Sequence, residues 1–172
     1  MITLLPFDKT GYNQLIAWVT NEEMLMQFAG PGFHFPLTAE QIKQSLLDKK
    51  RIAYKILHVA DQKIIGHAEI VYQDGSSALL SSIFIGDLAY REKGLAQPLM
   101  NKLLNIAFGN PAIEEVSLNV FDWNVPAIKS YKKAGLQVNE GKTLTRHVKD
   151  KTWIALNMIL NRKTYEDLQK RI

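Results

Sequence analysis

Midway along the chain the spacing of apolar residues changes character within a few positions. Residues 78–85 are largely apolar, as a buried strand is, and end at Gly86. From Gly94 onward Leu95, Leu99, Leu103, Ile106 and Ala107 recur at intervals of 4, 4, 3 and 1 up to Gly109, which is one face of a helix. A strand that passes to a helix through a short glycine-containing turn brings several unpaired N–H groups, and the positive end of the helix dipole, to one place. Such a junction is an anion cradle suited to a pyrophosphate. Gly94 permits close backbone approach, Ala96 is too small to obstruct it, and Arg91 and Lys93 add positive charge. Pro98 falls in the first helical turn, where a missing N–H costs little.

The flanking sequence supplies a sheet and helices for this junction. Residues 2–5 predict a strand broken by Pro6, and Asp8 can cap a helix reaching Val19. A short helix follows over 22–28, and 29–37, with two Gly and two Pro, is a loop. Thr38 heads a further helix with Ile42, Leu46 and Leu47 on one stripe. Strands are predicted over 51–60, 64–72 and 78–85, with Asp74-Gly75 as a hairpin turn between the last two. Beyond the central helix come a strand at 116–121, a helix capped by Asn124 and ending near Gly135, a hairpin from 136–148 and 152–160, and a charged helical tail. Strands and helices do not alternate strictly, so the fold class is α+β with a largely antiparallel sheet of about six to seven strands flanked by helices.

Composition narrows the function. The 172 residues, 47% of them hydrophobic, suffice for one core, and a single domain spanning 1–172 is expected. No apolar run nears the roughly 20 residues of a membrane span, and the N-terminus lacks the pattern of a secretory signal. With no cysteine, a thiolate metal site and an acyl-cysteine intermediate are both excluded. A cytoplasmic protein is expected. Residues 141–172 hold eight Lys/Arg against three Asp/Glu, but no interleaved aromatics or nucleic-acid motif accompany them, so nucleic acid is set aside. Four scattered His residues imply no metal. The Gly and Lys spacing fits neither a Walker loop nor a dinucleotide fingerprint.

Two segments carry a family resemblance. Arg91-Glu92-Lys93-Gly94-Leu95-Ala96 resembles the Arg/Gln-x-x-Gly-x-Gly/Ala signature of the GNAT superfamily of N-acetyltransferases. Leu118-x-Val120-x-x-x-Asn124-x-x-Ala127-Ile128-x-x-Tyr131-x-Lys133-x-Gly135-Leu136 resembles that family's second half-signature, in the right order and separation. The likeness covers about residues 64–140. Trp18 and Phe33-x-Phe35-Pro36 resemble the branch containing ribosomal-protein and antibiotic acetyltransferases. Leu88 stands where that family often has Pro, and Glu92 where it often has Gly.

The resemblance implies a fold and a chemistry. It makes residues 1–50 the acceptor side, 51–140 the acyl-coenzyme A core, and 141–172 a hairpin and tail. The strand before the signature is bulged in this family, so the main chain of Ile83, Phe84 and Ile85 is expected to pair with the pantetheine arm of acetyl-CoA and polarise the thioester. Arg91, Glu92, Lys93, Gly94, Leu95 and Ala96 would hold the pyrophosphate, and Asn124 would also contact the cofactor. Tyr131 would protonate the departing thiolate. One of Lys129, Lys132 and Lys133 could reach the 3′-phosphate. Phe28, Phe33 and Phe35 would border the acceptor, a small-molecule amine or a peptide N-terminus. For the base that deprotonates it, Glu69 is taken first; Asp87, His67 and a water chain stay open. Asn119 occupies a position where alanine-type N-terminal acetyltransferases tend to carry Glu. With no Cys nucleophile, direct transfer in a ternary complex is favoured, by a monomer or homodimer. The competing class is a regulatory acyl-CoA-binding domain without turnover.

Overall fold

The computed structural model describes residues 1–73 and 75–170. Asp74, half of the anticipated Asp74-Gly75 turn, and the last two residues of the basic tail lie outside the described residues. Seven strands form one sheet in the order β1-β2-β3-β4-β5-β7-β6. In chain order these are β1 (Ile2–Pro6), β2 (Arg51–His58), β3 (Lys63–Tyr72), β4 (Ser77–Ile85), β5 (Glu115–Phe121), β6 (Gln137–Val148) and β7 (Lys151–Asn161). The helices are α1 (Tyr12–Trp18), α2 (Glu22–Ala29), α3 (Ala39–Ser45), α4 (Ala96–Gly109), α5 (Val125–Lys133) and α6 (Arg162–Gln169). The β1–β2, β2–β3, β5–β7 and β6–β7 ladders are antiparallel; β4 and β5 are parallel and register only from Ser77↔Glu115 to Leu79↔Ser117. The architecture is the expected α+β arrangement.

Two helix starts differ from the sequence expectation, each for a local reason. Asp8 caps only a short 3-10 turn over Lys9–Gly11, its Oδ1 accepting from Thr10 N at 2.9 Å, and α1 begins at Tyr12. A side chain at Gly11 would press on Phe7, since a Cβ there would stand 2.6 Å from the Phe7 ring. Similarly, α4 begins at Ala96 because Glu92 and Gly94 have φ of +60° and +71°, which no α-helix accommodates.

The chain packs as two compact units, interleaved along the sequence. Met1–Val71 with Ser81–Leu95 forms the first, and Tyr72–Leu80 with the chain from Ala96 onward the second. The helical layer of the first is built on buried Leu15, Val19, Leu25, Phe28, Leu37 and Ile42. Its middle strand β3 is buried from Ile65 to Ile70 on both faces. In the second unit α4 buries Leu99, Met100, Leu103, Leu104, Ala107 and Phe108, and β5 buries Val116, Leu118 and Val120. Arg162 closes the C-terminal end of α4: its guanidinium donates to the carbonyls of Phe108 (3.0 Å), Asn110 (2.7 Å) and Ile113 (2.9 Å). Part of the basic C-terminal charge is therefore internal scaffolding.

Candidate functional site

The strand β4 is distorted at one residue. Ser82 lies at φ +51°, a left-handed residue inside a strand, and its Oγ donates to Glu69 Oε2 at 3.2 Å. Beyond Leu79 the register with β5 ends, so on that side the main chain of Ile83, Phe84 and Ile85 has no ladder partner among the described residues. On the other side the strand is held by β3, where Gly86 N and Asp87 N both donate to Ile65 O, at 2.9 and 3.1 Å. Two glycines fix this end at van der Waals limits. A Cβ on Gly66 would stand 2.2 Å from Phe84 O, and one on Gly86 only 2.1 Å from the Trp18 ring. Gly86 was read in the sequence only as the end of the strand and Gly66 was passed over, although an isolated glycine within a strand pattern signals close backbone approach.

The turn after β4 is laced before α4 begins. Asp87 caps a 3-10 turn over Leu88–Tyr90 through Ala89 N and pairs with Lys63 at 2.7 Å. The hydrogen bond from Lys63 holds its carboxyl below the ordinary value, and the carboxylate acts as a cap rather than a free base. Tyr90 donates to Asp61, and that bond pushes its hydroxyl up to about 12. Lys93 Nζ sits 5.5 Å from the centre of the Tyr90 ring. Arg91 turns back onto the strand: Nε donates to Ile85 O at 2.9 Å and the guanidinium lies 5.5 Å from the Phe84 ring centre. Its charge is thus tied to the strand it was expected to supplement. Around Gly94 no atom lies within 4 Å of where a Cβ would stand, so the backbone there is open to an approaching group. The main chain, the glycine and Lys93 fit an anionic diphosphate; Glu92, exposed and strained, is the one feature against it.

Glu69 sits in a buried polar cluster. Only 3% exposed, it accepts from His67 Nε2 at 3.0 Å, from Ser82 Oγ and from Arg51, with which it forms an ion pair. Burial alone would push its carboxyl up, but the bond from His67 and the charge of Arg51 outweigh that and hold it below the ordinary value. A carboxylate so engaged is a weak proton acceptor. Arg51 carries no motif, and no local signal in the sequence marks it.

Among the anticipated acceptor residues, Phe28 is buried, Phe33 packs half-buried on the helical layer and Phe35 is 43% exposed. Phe28 lies between two rings, its centroid 6.1 Å from that of His67 and 5.0 Å from that of Phe84. Gln41, which sequence reasoning passed over, clamps the loop before α3: it accepts from His34 N (2.8 Å) and donates to the carbonyls of His34 (3.1 Å) and Pro36 (3.0 Å). Ile83, Phe84, Ile85, Arg91, Glu92, Lys93, Gly94, Leu95, Glu69 and the three Phe residues all belong to the first unit.

Ala96, Asn124 and Tyr131 belong to the second. Asn124 caps α5, its Oδ1 accepting from Ala127 N at 3.4 Å. The helix ends in a glycine-centred cap, with Gly135 at φ +100°, Gly135 N bonded to Lys132 O and Leu136 N to Tyr131 O. Tyr131 is half-buried overall, yet burial pushes its hydroxyl up to about 12, so the group stays a neutral proton donor. Asn119 joins an amide chain in which Asn157 donates to Asn119 Oδ1 (3.0 Å) and accepts from Asn139 (2.9 Å). Alongside α4 a hollow of about 320 Å³ includes Gln97, Asn101, Lys133 and Tyr165 in its lining. Among the described residues no group of three or more His, Cys, Asp or Glu could hold a metal ion, and no helix is long and apolar enough to cross a membrane.

A strand kinked at left-handed Ser82, running through an open glycine turn into a helix, is the arrangement of an acyl-coenzyme A transferase. The model of the acetyltransferase (GNAT) family matches residues 18–136, and the chain belongs to that family. Solved structures agree in fold. A spermidine N-acetyltransferase from Vibrio cholerae, in complex with CoA and spermine, superposes with a TM-score of 0.80 at 17% identity, covering 96% of this chain and 98% of that one. The aminoglycoside acetyltransferase AAC(6′)-Ib, with coenzyme A and kanamycin, gives 0.74 at 19% identity, covering 98% and 99%.

Proposed function

We propose that this protein transfers the acetyl group of acetyl-CoA to a primary amine by direct attack within a ternary complex, in the cytoplasm. The observation that carries the reading is left-handed Ser82 followed by the Ile83–Ile85 main chain, which lies beyond the described β5 register, and the open turn at Gly94. The strand receives the pantetheine arm, and its N–H groups polarise the thioester carbonyl, where negative charge develops. The turn and the first amides of α4 receive the pyrophosphate. Gln97 and Lys133 in the hollow beside α4 suit the 3′-phosphoadenosine end. In the reaction the amine nitrogen forms a bond to the carbonyl carbon, the carbon–sulfur bond breaks, and the thiolate takes the Tyr131 proton. Asn124 is assigned to the cofactor side, and Phe28, Phe33 and Phe35 to the border of the acceptor pocket. Neighbours in fold that act on spermidine and on an aminoglycoside support a small-molecule amine over a peptide N-terminus.

Two measurements test this. Saturating acetyl-CoA should raise Tm, because a ligand that binds only the native state stabilises it. Thiol release from acetyl-CoA, run against a panel of polyamines, aminoglycosides and peptides, should show amine-dependent turnover. Absence of both binding and turnover refutes the proposal; binding without turnover across the panel turns it into a sensor.

A further inference from the structure

We infer that His67, oriented by Glu69, is the group that takes the proton from the acceptor amine. The inference rests on the acetyl-transfer reading above and names a catalytic residue for it. His67 is 2% exposed, and its two ring nitrogens differ completely. Nε2 lies 3.0 Å from Glu69 Oε1. Glu69 is an ionised acceptor, so Nε2 must carry the hydrogen. In the neutral ring Nδ1 then holds a lone pair, and it has no hydrogen-bond partner among the described residues. A buried acceptor left unsatisfied costs about 1–3 kcal/mol, and a native structure that retains one usually has a use for it.

The surroundings suit a base. Facing the ring from β3 is Glu69, and from β2 come Arg51, paired with Glu69, and Lys55, opposite His67 in the ladder and tied to Asp8 and Thr10. From β4 the cluster receives Ser82, bound to Glu69. The ring is otherwise walled by Phe7 and Phe28, edge-on with centroids at 4.5 and 6.1 Å. Phe28 in turn touches Phe84, so the His67 ring and the strand that presents the thioester share one aromatic neighbour. Glu69 thereby acts as a positioning residue: it fixes the tautomer and offsets the charge of an imidazolium. The ammonium gives one proton to Nδ1 through one water, admitted as the Phe28 ring turns aside when the acceptor binds. Its lone pair then attacks the carbonyl carbon, the C–S bond breaks, and the thiolate is protonated by Tyr131. The second N–H proton restores the tyrosinate through solvent, and His67 releases its own proton to solvent.

The decisive variant is His67→Gln, which can still donate to Glu69 but has no basic nitrogen. With the best amine of the panel at pH 7, kcat/KM should fall by roughly 10²–10⁴-fold. With an analogue fluorinated beside the nitrogen, whose amine is already neutral, the loss should be under about tenfold, since little deprotonation remains to be done. Acetyl-CoA affinity should be unchanged in both. Wild-type rates in the variant, or equal losses with both amines, overturn the inference. Should the variant not fold, imidazole nitrogen NMR on the wild type decides. Nδ1 should be unprotonated in the free protein and should shift when a coenzyme A–amine bisubstrate thioether binds; a protonated or unmoved Nδ1 overturns the assignment. A wild-type protein that neither binds coenzyme A nor turns over any amine refutes the acetyl-transfer reading itself.

Discussion

Glu92 is the one residue of the phosphate turn that works against it twice, through its backbone and through its charge, and the two effects can be separated. At φ +60° an L side chain costs about 1–2 kcal/mol relative to the right-handed region. Glycine removes that strain and returns about 0.5–1 kcal/mol as extra freedom of the unfolded chain. Glu92→Gly should therefore stabilise the protein by a net ~0.5–1 kcal/mol, a rise of roughly 1–4 °C in Tm for a chain of this size. The side chain is exposed, so its electrostatic effect is that of a charge in water. At about 7–10 Å, each unit of pyrophosphate charge is repelled by roughly 0.4–0.6 kcal/mol, and screening over a Debye length of about 8 Å more than halves this at physiological salt. Removing the carboxylate should then tighten acetyl-CoA binding about twofold at 0.15 M salt and about fourfold at 10 mM. Glu92→Gln keeps the strained Cβ and loses only the charge: its affinity should match that of Glu92→Gly while its Tm stays at the wild-type value. Scanning calorimetry and titration calorimetry at the two salt concentrations read both quantities. If Glu92→Gln gains as much Tm as Glu92→Gly, the backbone argument is wrong; if neither variant changes affinity at low salt, the phosphates do not sit on this turn.

Three further outcomes are expected. Tyr131→Phe should lower kcat by roughly 10²–10⁴-fold with little change in acetyl-CoA affinity, and alkaline pH should partly restore it as the coenzyme A thiol becomes a better leaving group; because burial pushes the native hydroxyl up to about 12, the wild type should show no loss of this proton below pH 11. Gly94→Glu should abolish coenzyme A binding as measured by calorimetry, while circular dichroism shows a folded protein, since the new Cβ meets nothing within 4 Å and the left-handed backbone adds only about 1–2 kcal/mol of strain. Arg162→Ala strips three carbonyls of a charged donor and should cost about 2–3 kcal/mol, seen as a fall of several degrees in Tm with coenzyme A affinity unaffected.

The sequence carried the strand–turn–helix junction clearly because that information is local: the period of Leu99 and Leu103, the glycine at 94 and the cap at Asn124 each act within a few residues. The same holds for the end of α5, where Gly135 closes the helix as its position suggested. The polar cluster was far less legible. Arg51, Glu69 and Ser82 come from three strands, and nothing near each residue indicates that they meet. Glu69 could be named from the sequence as a candidate base, but its engagement by Arg51 and His67 is a property of the sheet register. Arg91 shows the opposite limit. Its charge was evident, whereas its use, a bond to Ile85 O, depends on how the turn folds back.

The tight contacts at Gly66 and Gly86 set the latitude for redesign. A combinatorial library aimed at a new amine would naturally randomise the loop around Phe33 and Phe35 and the positions lining Phe28. Residues 66 and 86 should stay out of it. Any side chain at 66 strikes a main-chain oxygen, which cannot move without moving the strand, and any at 86 evicts the Trp18 ring from its seat. Selections that leave these two codons free would spend most of their diversity on chains whose thioester strand is displaced, whatever their acceptor pocket looks like. Fixing them confines the search to variants in which specificity changes and the cofactor strand does not.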